Sequence, residues 1–390
     1  MKAARALGNV TLHVIEGPEE YLFGEEKALL EVCEGNDPIP REPHYPPYER
    51  GLFATQASPN PAIVNNVETL ARVPGILRAG AASFRAIGTA DTPGPIIFTI
   101  SGDVRRPGVY EAAAGTKLSH LFHELAGGPR EGRAFKAALS GVSTLSIPAS
   151  RFDTQADHAS MHMIGSGLGS AGFILFDDLA SMPRVTQAVA RFLYVESCNQ
   201  CPACKNGLRT ASSAIDELFD PALATPDDFE RAFYGAHRAP QGNRCYLPVQ
   251  GSKLIPDLMK RFEGEFAAQL EDPTGAPAPY VIPKLVDFDE ARGEFVYDEL
   301  QPRKNPNWTY APAPEPAPES VPKMAVPEPR KPAKPAQPVK AEGLQTISVR
   351  LMADVRTELA KVLKDRHNEA ELDRVVNDAL REWMRGREKR

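Results

Sequence analysis

Between Ala180 and Glu196, Val185, Val189, Phe192 and Val195 recur three and four residues apart, which predicts an amphipathic helix. Pro202 and Gly207 then supply turn chemistry, and Leu208 to Phe219 reads as a second helix. Thr225-Pro226-Asp227-Asp228 provides an N-cap, a proline at the first helical position and an acidic first turn. Leu254, Leu258, Phe262 and Phe266 mark one more helix. Upstream the period changes. Ile96–Ser101 predicts a strand, Arg106-Pro107-Gly108 a turn and Val109-Tyr110 a return strand. Leu118 to Leu125 predicts a helix closed by Gly127-Gly128, and Phe173–Phe176 is an apolar strand. Near the start, Lys27–Glu34 is an apolar helix.

The C-terminal third divides sharply. From Ala311 to Glu342 proline falls every two to four residues among Ala, Glu and Lys, which predicts an extended tether without a core. Thr346 to Leu351 then alternates, with Ile347, Val349 and Leu351 on one face and Thr346, Ser348 and Arg350 on the other. Helices are predicted over Asp354–Lys364 and Leu372–Met384. One strand and two helices in about 45 residues cannot bury a core alone, so this module is expected to dimerise. Its order resembles a ribbon-helix-helix unit, whose polar strand face enters the DNA major groove. A homodimer through 344–390 without a DNA role is the plainer reading.

Composition narrows the chemistry. Five cysteines in 390 residues suit a reducing, cytoplasmic setting, and a formal net charge of −6 argues against bulk nucleic-acid binding. The first ten residues hold no apolar signal core, and no membrane insertion is expected. Cys33 lies in an apolar helix and reads as a packing thiol.

The other four cysteines are Cys198, Cys201, Cys204 and, far downstream, Cys245. Three thiolates two residues apart and one distant partner match a [4Fe–4S] cluster, in which each iron takes one cysteine sulfur. Zinc is the rival, although structural zinc sites usually recruit two separated pairs. The pattern places these cysteines on loops at the ends of a small helical bundle. His158 and His162 stand at helical spacing but read as exposed polar residues. Gly165-Ser-Gly-Leu-Gly169-Ser-Ala-Gly172 precedes a strand instead of following one, so it fails as a dinucleotide loop.

A family becomes visible when the N-terminal half is added. Tyr21-Leu-Phe-Gly24-Glu25-Glu26, Glu34-Gly35, Pro40-Arg41 and Val64-Asn65-Asn66-Val67-Glu68-Thr69 arrive in order before the cysteines. Together they resemble the flavoprotein F subunit of bacterial NADH-quinone oxidoreductase, a module shared with NAD-linked formate dehydrogenases and hydrogenases. The resemblance covers residues of roughly 8 to 300 and implies FMN as cofactor and NADH as substrate. It assigns Tyr21, Gly24, Glu25, Val64, Asn65 and Asn66 to the flavin pocket and Glu26 to the nicotinamide. Read without it, Glu25-Glu26 is the acidic first turn of a helix.

The family's glycine-rich GRGGAGFPTG loop does not occur in this sequence. Its lysine-bearing K-P-P-F-P stretch reads Arg41-Glu42-Pro43-His44-Tyr45-Pro46. Half the flavin pocket and most of the phosphate grip are therefore expected from a second chain or a longer gene product, or else the flavin site is dead. The resemblance implies an α+β multidomain chain: 1–92 the C-terminal part of a flavin-binding α/β domain, 93–178 a β-grasp (SLBB-like) domain, 179–275 a helical iron–sulfur domain. Then follow 276–310 as an extension of the core, 311–343 as the Pro-rich linker and 344–390 as the ribbon-helix-helix-like tail. The implied function is an electron-transfer subunit of an NADH:quinone-type oxidoreductase, peripheral on the inner membrane face. Its partners would be other subunits, including a thioredoxin-like [2Fe–2S] subunit. A non-catalytic iron–sulfur scaffold or sensor, with a dimerising or DNA-binding tail, is the alternative.

Overall fold

The computed structural model describes residues 11–42, 47–55, 57–142, 145–275, 284–289, 292, 294–298, 300–312 and 346–348. In chain order the elements begin with β1 (Thr11–His13), α1 (Glu26–Cys33), α2 (Pro47–Arg50), α3 (Val67–Ala79) and α4 (Ala81–Arg85). Next come β2 (Pro95–Gly102), β3 (Gly108–Ala113), β4 (Phe135–Ser140), β5 (Ile147–Pro148), α5 (His158–Met163) and β6 (Gly172–Asp177). The bundle helices are α6 (Met182–Glu196), α7 (Pro202–Glu217), α8 (Asp227–Arg238), α9 (Leu247–Arg261) and α10 (Glu263–Glu271). Last are β7 (Leu285–Asp289), β8 (Glu294–Tyr297) and β9 (Thr346–Ser348). The chain forms two compact units, one of residues 17–46 and 85–338 and one of 1–16, 47–84 and 339–390.

In the larger unit, β3-β2-β6-β4-β5 make one sheet. Only the β2–β6 pair is parallel, with Ile100 opposite Phe173. Phe98, Ile100, Phe173 and Leu175 bury their side chains against the segment Leu118–Leu125. That segment is helical as the pattern predicts, but His120–Leu125 is wound as a π-helix. The wider turn seats Phe122 edge-on to Phe152 and Phe173, at centroid separations of 4.8 and 5.2 Å. Gly127 and Gly128 follow, both at φ of 80°.

The helices α6 to α10 form the second core. The buried stripe of α6 is Met182, Val185, Val189, Ala190 and Leu193. Ser181 caps its N-terminus by accepting from the Arg184 amide at 3.4 Å. Two details of the pattern change. Gly207 does not sit in a turn; it lies inside α7, where a Cβ would fall 2.6 Å from the Gly235 carbonyl of α8. The long run ending at Phe266 is two helices, α9 and α10, meeting at Phe262. Sheet and bundle are tied by Lys136, whose Nζ donates to Glu265 at 2.9 Å and to the Ala180 carbonyl at 2.6 Å. Residues 17–46 also join this unit, with Leu22 in the helical core.

In the smaller unit, α3 starts at Asn66, whose Oδ1 accepts from the Glu68 amide at 2.8 Å. β1 pairs parallel with β9, Thr11 opposite Thr346. The predicted strand past Ser348, the helices over 354–364 and 372–384, and the Pro-rich stretch from 313 to 343 lie outside the described residues.

Candidate metal centre

Helix α6 ends at Glu196 and the chain enters the loop that carries Cys198. Asn199 takes the left-handed conformation, φ 66°, which asparagine tolerates better than most residues. The loop therefore reverses at once. Cys201 is the N-cap of α7 and Pro202 its first residue, so Cys204 belongs to the first turn of a helix. This corrects the expectation that all four cysteines lie on loops: the chain resumes its helix at Pro202, well before Leu208. Cys245 sits just ahead of α9, and the Leu247 amide donates to its sulfur. Thiolates at two helix N-termini sit in the favourable end of the peptide dipoles.

All four cysteines are free thiols; Cys204 is buried and the other three half-buried. They belong to one core cluster, and the charges of Cys198, Cys201, Cys204 and Cys245 act on one another. Burial pushes the Cys204 thiol up to about 11 and the Cys245 thiol up to about 12, and raises Cys198 as well. Such thiols yield their protons to a bound cation and not to neutral water. Ser197 Oγ lies 3.2 Å from Cys204 Sγ, and the Gln200 amide donates to Cys198. Hydrogen bonds to sulfur of this kind set cluster potentials. Among the described residues no three His, Cys, Asp or Glu side chains close on a single ion. The donor set and its spacing fit a [4Fe–4S] cluster.

Two cations border the cage. Lys205 Nζ donates to the carbonyls of Tyr194 at 2.9 Å, Ser197 at 3.0 Å and Pro306 at 2.5 Å. Burial draws its pKa down to about 8, against the opposing pull of Cys204 and Cys198. Arg244 donates to Gln200 at 3.3 Å and pairs with Glu42 at 2.9 Å.

The segment from Tyr21 to Glu26 lies on the same side of the bundle. Tyr21 packs edge-on to Phe192 at 5.0 Å, and its hydroxyl donates to Gln250 at 3.0 Å. Burial lifts that phenol to about 12, with a further push from Cys245. Glu25 caps α1, accepting from the amides of Lys27 and Ala28 at 2.9 Å each. It is half-buried, not a solvated first turn, and burial raises its pKa. Its charge also acts on Cys245. Gly24 and Glu26 are exposed, and a Cβ on Gly24 would meet open space. The structure therefore brings Tyr21, Glu25 and the four cysteines together. Val64, Asn65 and Asn66 belong to the smaller unit, where the Asn66 side chain serves as a helix cap. Residues 43–46 lie outside the described residues. His158 and His162 are both exposed on α5.

The sequence reading missed the segment Gln301–Tyr310. Lys304 is 1% exposed, and its Nζ donates to Glu196 at 2.8 Å and also to Glu20. Trp308 places its ring 4.2 Å from that ammonium and donates Nε1–H to the Ser197 carbonyl at 3.1 Å. The available signal was small: Asn305-Pro306-Asn307-Trp308 is a turn sequence holding one of only two tryptophans.

Residues 184–269 match the family model described as the NADH-ubiquinone oxidoreductase-F iron-sulfur binding region, and residues 97–143 match the SLBB domain. Over and around these regions the chain is similar to F subunits of NADH-quinone oxidoreductases. It is 35% identical over 266 residues to the F 2 subunit of the NADH-quinone oxidoreductase of Rhizobium meliloti (strain 1021), covering 68% of this chain and 62% of that one. The F subunit of the NADH-quinone oxidoreductase of Aquifex aeolicus (strain VF5) is 30% identical over 259 residues, covering 66% and 58%. The crystal structure of an NAD+-reducing [NiFe]-hydrogenase in the H2-reduced state aligns with TM-score 0.57 at 30% identity, over 65% of this chain and 42% of that one. The chain thus spans about three fifths of the length of these curated relatives. Among the described residues no helix of the F-like module is long and apolar enough to cross a membrane.

Proposed function

We propose that this F-like module is an electron-transfer subunit of an NADH dehydrogenase-type complex, holding a [4Fe–4S] cluster on Cys198, Cys201, Cys204 and Cys245. One observation carries the reading: four free thiols, one buried and three half-buried, gather in the loop before α7, in its first turn and just ahead of α9, inside the segment that matches the F-type iron–sulfur region. FMN, when bound, would convert the electron pair of NADH into single electrons. The chain's own contribution is to hold the cluster in a bundle of low dielectric, to donate hydrogen bonds to its sulfurs and to place Lys205 and Arg244 beside its negative charge.

Tyr21, Gly24, Glu25, Val64, Asn65 and Asn66 are proposed flavin-side residues, and Glu26 the residue facing the nicotinamide. Gly24 offers open space for close approach, and the charge of its neighbour Glu25 acts on Cys245. The partners proposed are other subunits of the complex, including a thioredoxin-like [2Fe–2S] subunit, at the inner face of a membrane. For the tail, dimerisation through 344–390 is proposed ahead of DNA binding.

The test is anaerobic purification, with iron, sulfide, zinc and FMN counted per chain and an EPR spectrum taken after reduction. A reducible cubane signal supports the reading, and bound FMN extends it to the flavin residues. The cluster without FMN leaves the chain a relay or scaffold served by a flavin held elsewhere. Zinc in place of iron and sulfide overturns it.

A further inference from the structure

The cysteine loop is held from outside by a segment that carries no ligand. After β8 the chain turns through Gln301–Arg303 and doubles back, with Asn305 N–H donating to the Thr309 carbonyl at 2.7 Å. The Pro306 carbonyl at its tip accepts from Asn199 Nδ2 at 3.1 Å and from Lys205 Nζ. Trp308, in the left-handed conformation at φ 64°, donates to the Ser197 carbonyl. A tryptophan pays for that backbone strain only where the surroundings fix it. Each of these contacts falls on a residue that flanks a cysteine: Ser197 and Asn199 beside Cys198, Lys205 beside Cys204.

The root of this strap is a buried ion network. Lys304 bridges Glu196, which is 1% exposed, and Glu20. Gln301 Nε2 donates to Glu196 at 3.3 Å, and the Tyr310 hydroxyl donates to Glu20 at 3.0 Å. Arg191 of α6 reaches the Pro302 and Lys304 carbonyls at 3.1 and 3.3 Å. Burying an ammonium and a carboxylate is costly, and replacing such a pair with apolar residues is often neutral or stabilising. A pair kept at this cost fixes one arrangement of chain segments, here the strap against the end of α6.

We propose that residues 301–310 are a latch that holds the Ser197–Cys201 loop closed over the cluster, with Lys304 and Trp308 as its positioning residues. The latch limits the access of water, oxygen and chelators to the cluster, and so helps set its potential and its lifetime. The inference rests on the iron–sulfur reading for what is sheltered, and on the strap's hydrogen bonds alone for the sheltering.

The test uses the full chain, purified anaerobically, as wild type, Trp308→Phe, Lys304→Met and Lys304→Arg. Trp308→Phe keeps a ring and removes one donor. Hydrogen exchange in peptides covering 194–205 should quicken roughly three- to tenfold, the worth of one net hydrogen bond, while exchange in α8 and α10 stays unchanged. Iron release to a ferrous chelator should quicken in parallel. The midpoint potential should rise, because the reduced cluster carries one more negative charge and gains more from added water. Lys304→Met should exceed Trp308→Phe in both rates, and Lys304→Arg should restore part of the loss. If Lys304→Met does not fold, Trp308→Phe decides alone. Unchanged loop exchange in a folded Trp308→Phe chain overturns the latch, and so does quickening spread evenly over the bundle. A chain that binds no iron but shows the exchange response would overturn the proposed function and leave the latch standing.

Discussion

Tyr21 combines a packed ring, a buried hydroxyl and one acceptor, Gln250. Its phenol is raised from 10.0 to about 12, so the folded state keeps a proton that the unfolded state gives up. Its stabilising share is whole below pH 10 and is lost as pH climbs through 12, an amount of about 3 kcal/mol at most. Denaturant unfolding of wild type and Tyr21→Phe between pH 9 and 12 should show a steeper alkaline decline in wild type; parallel curves would refute the burial argument. The cysteines answer to a sharper measurement. Cys204→Ser or Cys245→Ser should cut iron and sulfide per chain by at least half and abolish the wild-type EPR signal, because a serine hydroxyl is a poor substitute for a thiolate. A variant with full iron would remove that cysteine from the ligand set.

Helices α7 and α8 show what a single missing side chain does for an element. Gly207 and Gly235 face each other so closely that a Cβ on either would sit 2.6 Å from the other's carbonyl oxygen. Gly207→Ala should therefore cost about 1–3 kcal/mol and lower the thermal midpoint, since the first turn of α7 cannot shift without moving Cys204. Equal stability would mean that the helices separate freely. In the smaller unit, Asn66→Ala should lose about 1 kcal/mol through the cap of α3. If FMN is bound, its affinity measured on the same variant separates the capping role from a flavin contact. Legibility varied with the kind of signal. The stripe of α6 and the strand at Ile96–Ser101 were readable because burial there follows a strict period. The π-turn at His120–Leu125 and the glycine contact were not, because both are settled by a neighbour distant in sequence.

At the scale of the molecule, the spacing of the four cysteines was legible as a candidate ligand set, and residues 184–269, which match the iron–sulfur region, include all four. The strap over them was not legible, since Glu20, Glu196 and Lys304 meet only through tertiary structure and no local pattern pairs them. A chain ended after Pro312 should keep the iron content of the full chain and its rate of iron release, because the latch is complete at Tyr310. A chain ended at Leu300 should load iron and lose it faster in air. Equal loss from both would place the protection elsewhere.

The same separation has a consequence in time. The bundle that carries the four cysteines is complete in sequence at Glu271, while Lys304 follows about 33 residues later. At about 5–20 residues per second that is roughly 2–7 s of translation in which the bundle is made and its cover is not. A cluster carrier arriving in this interval meets an open loop, and one arriving afterwards meets a closed one. With the proposed cluster and latch, the order of residues along the gene would schedule delivery before closure, and slowing translation between these two positions would lengthen the loading window.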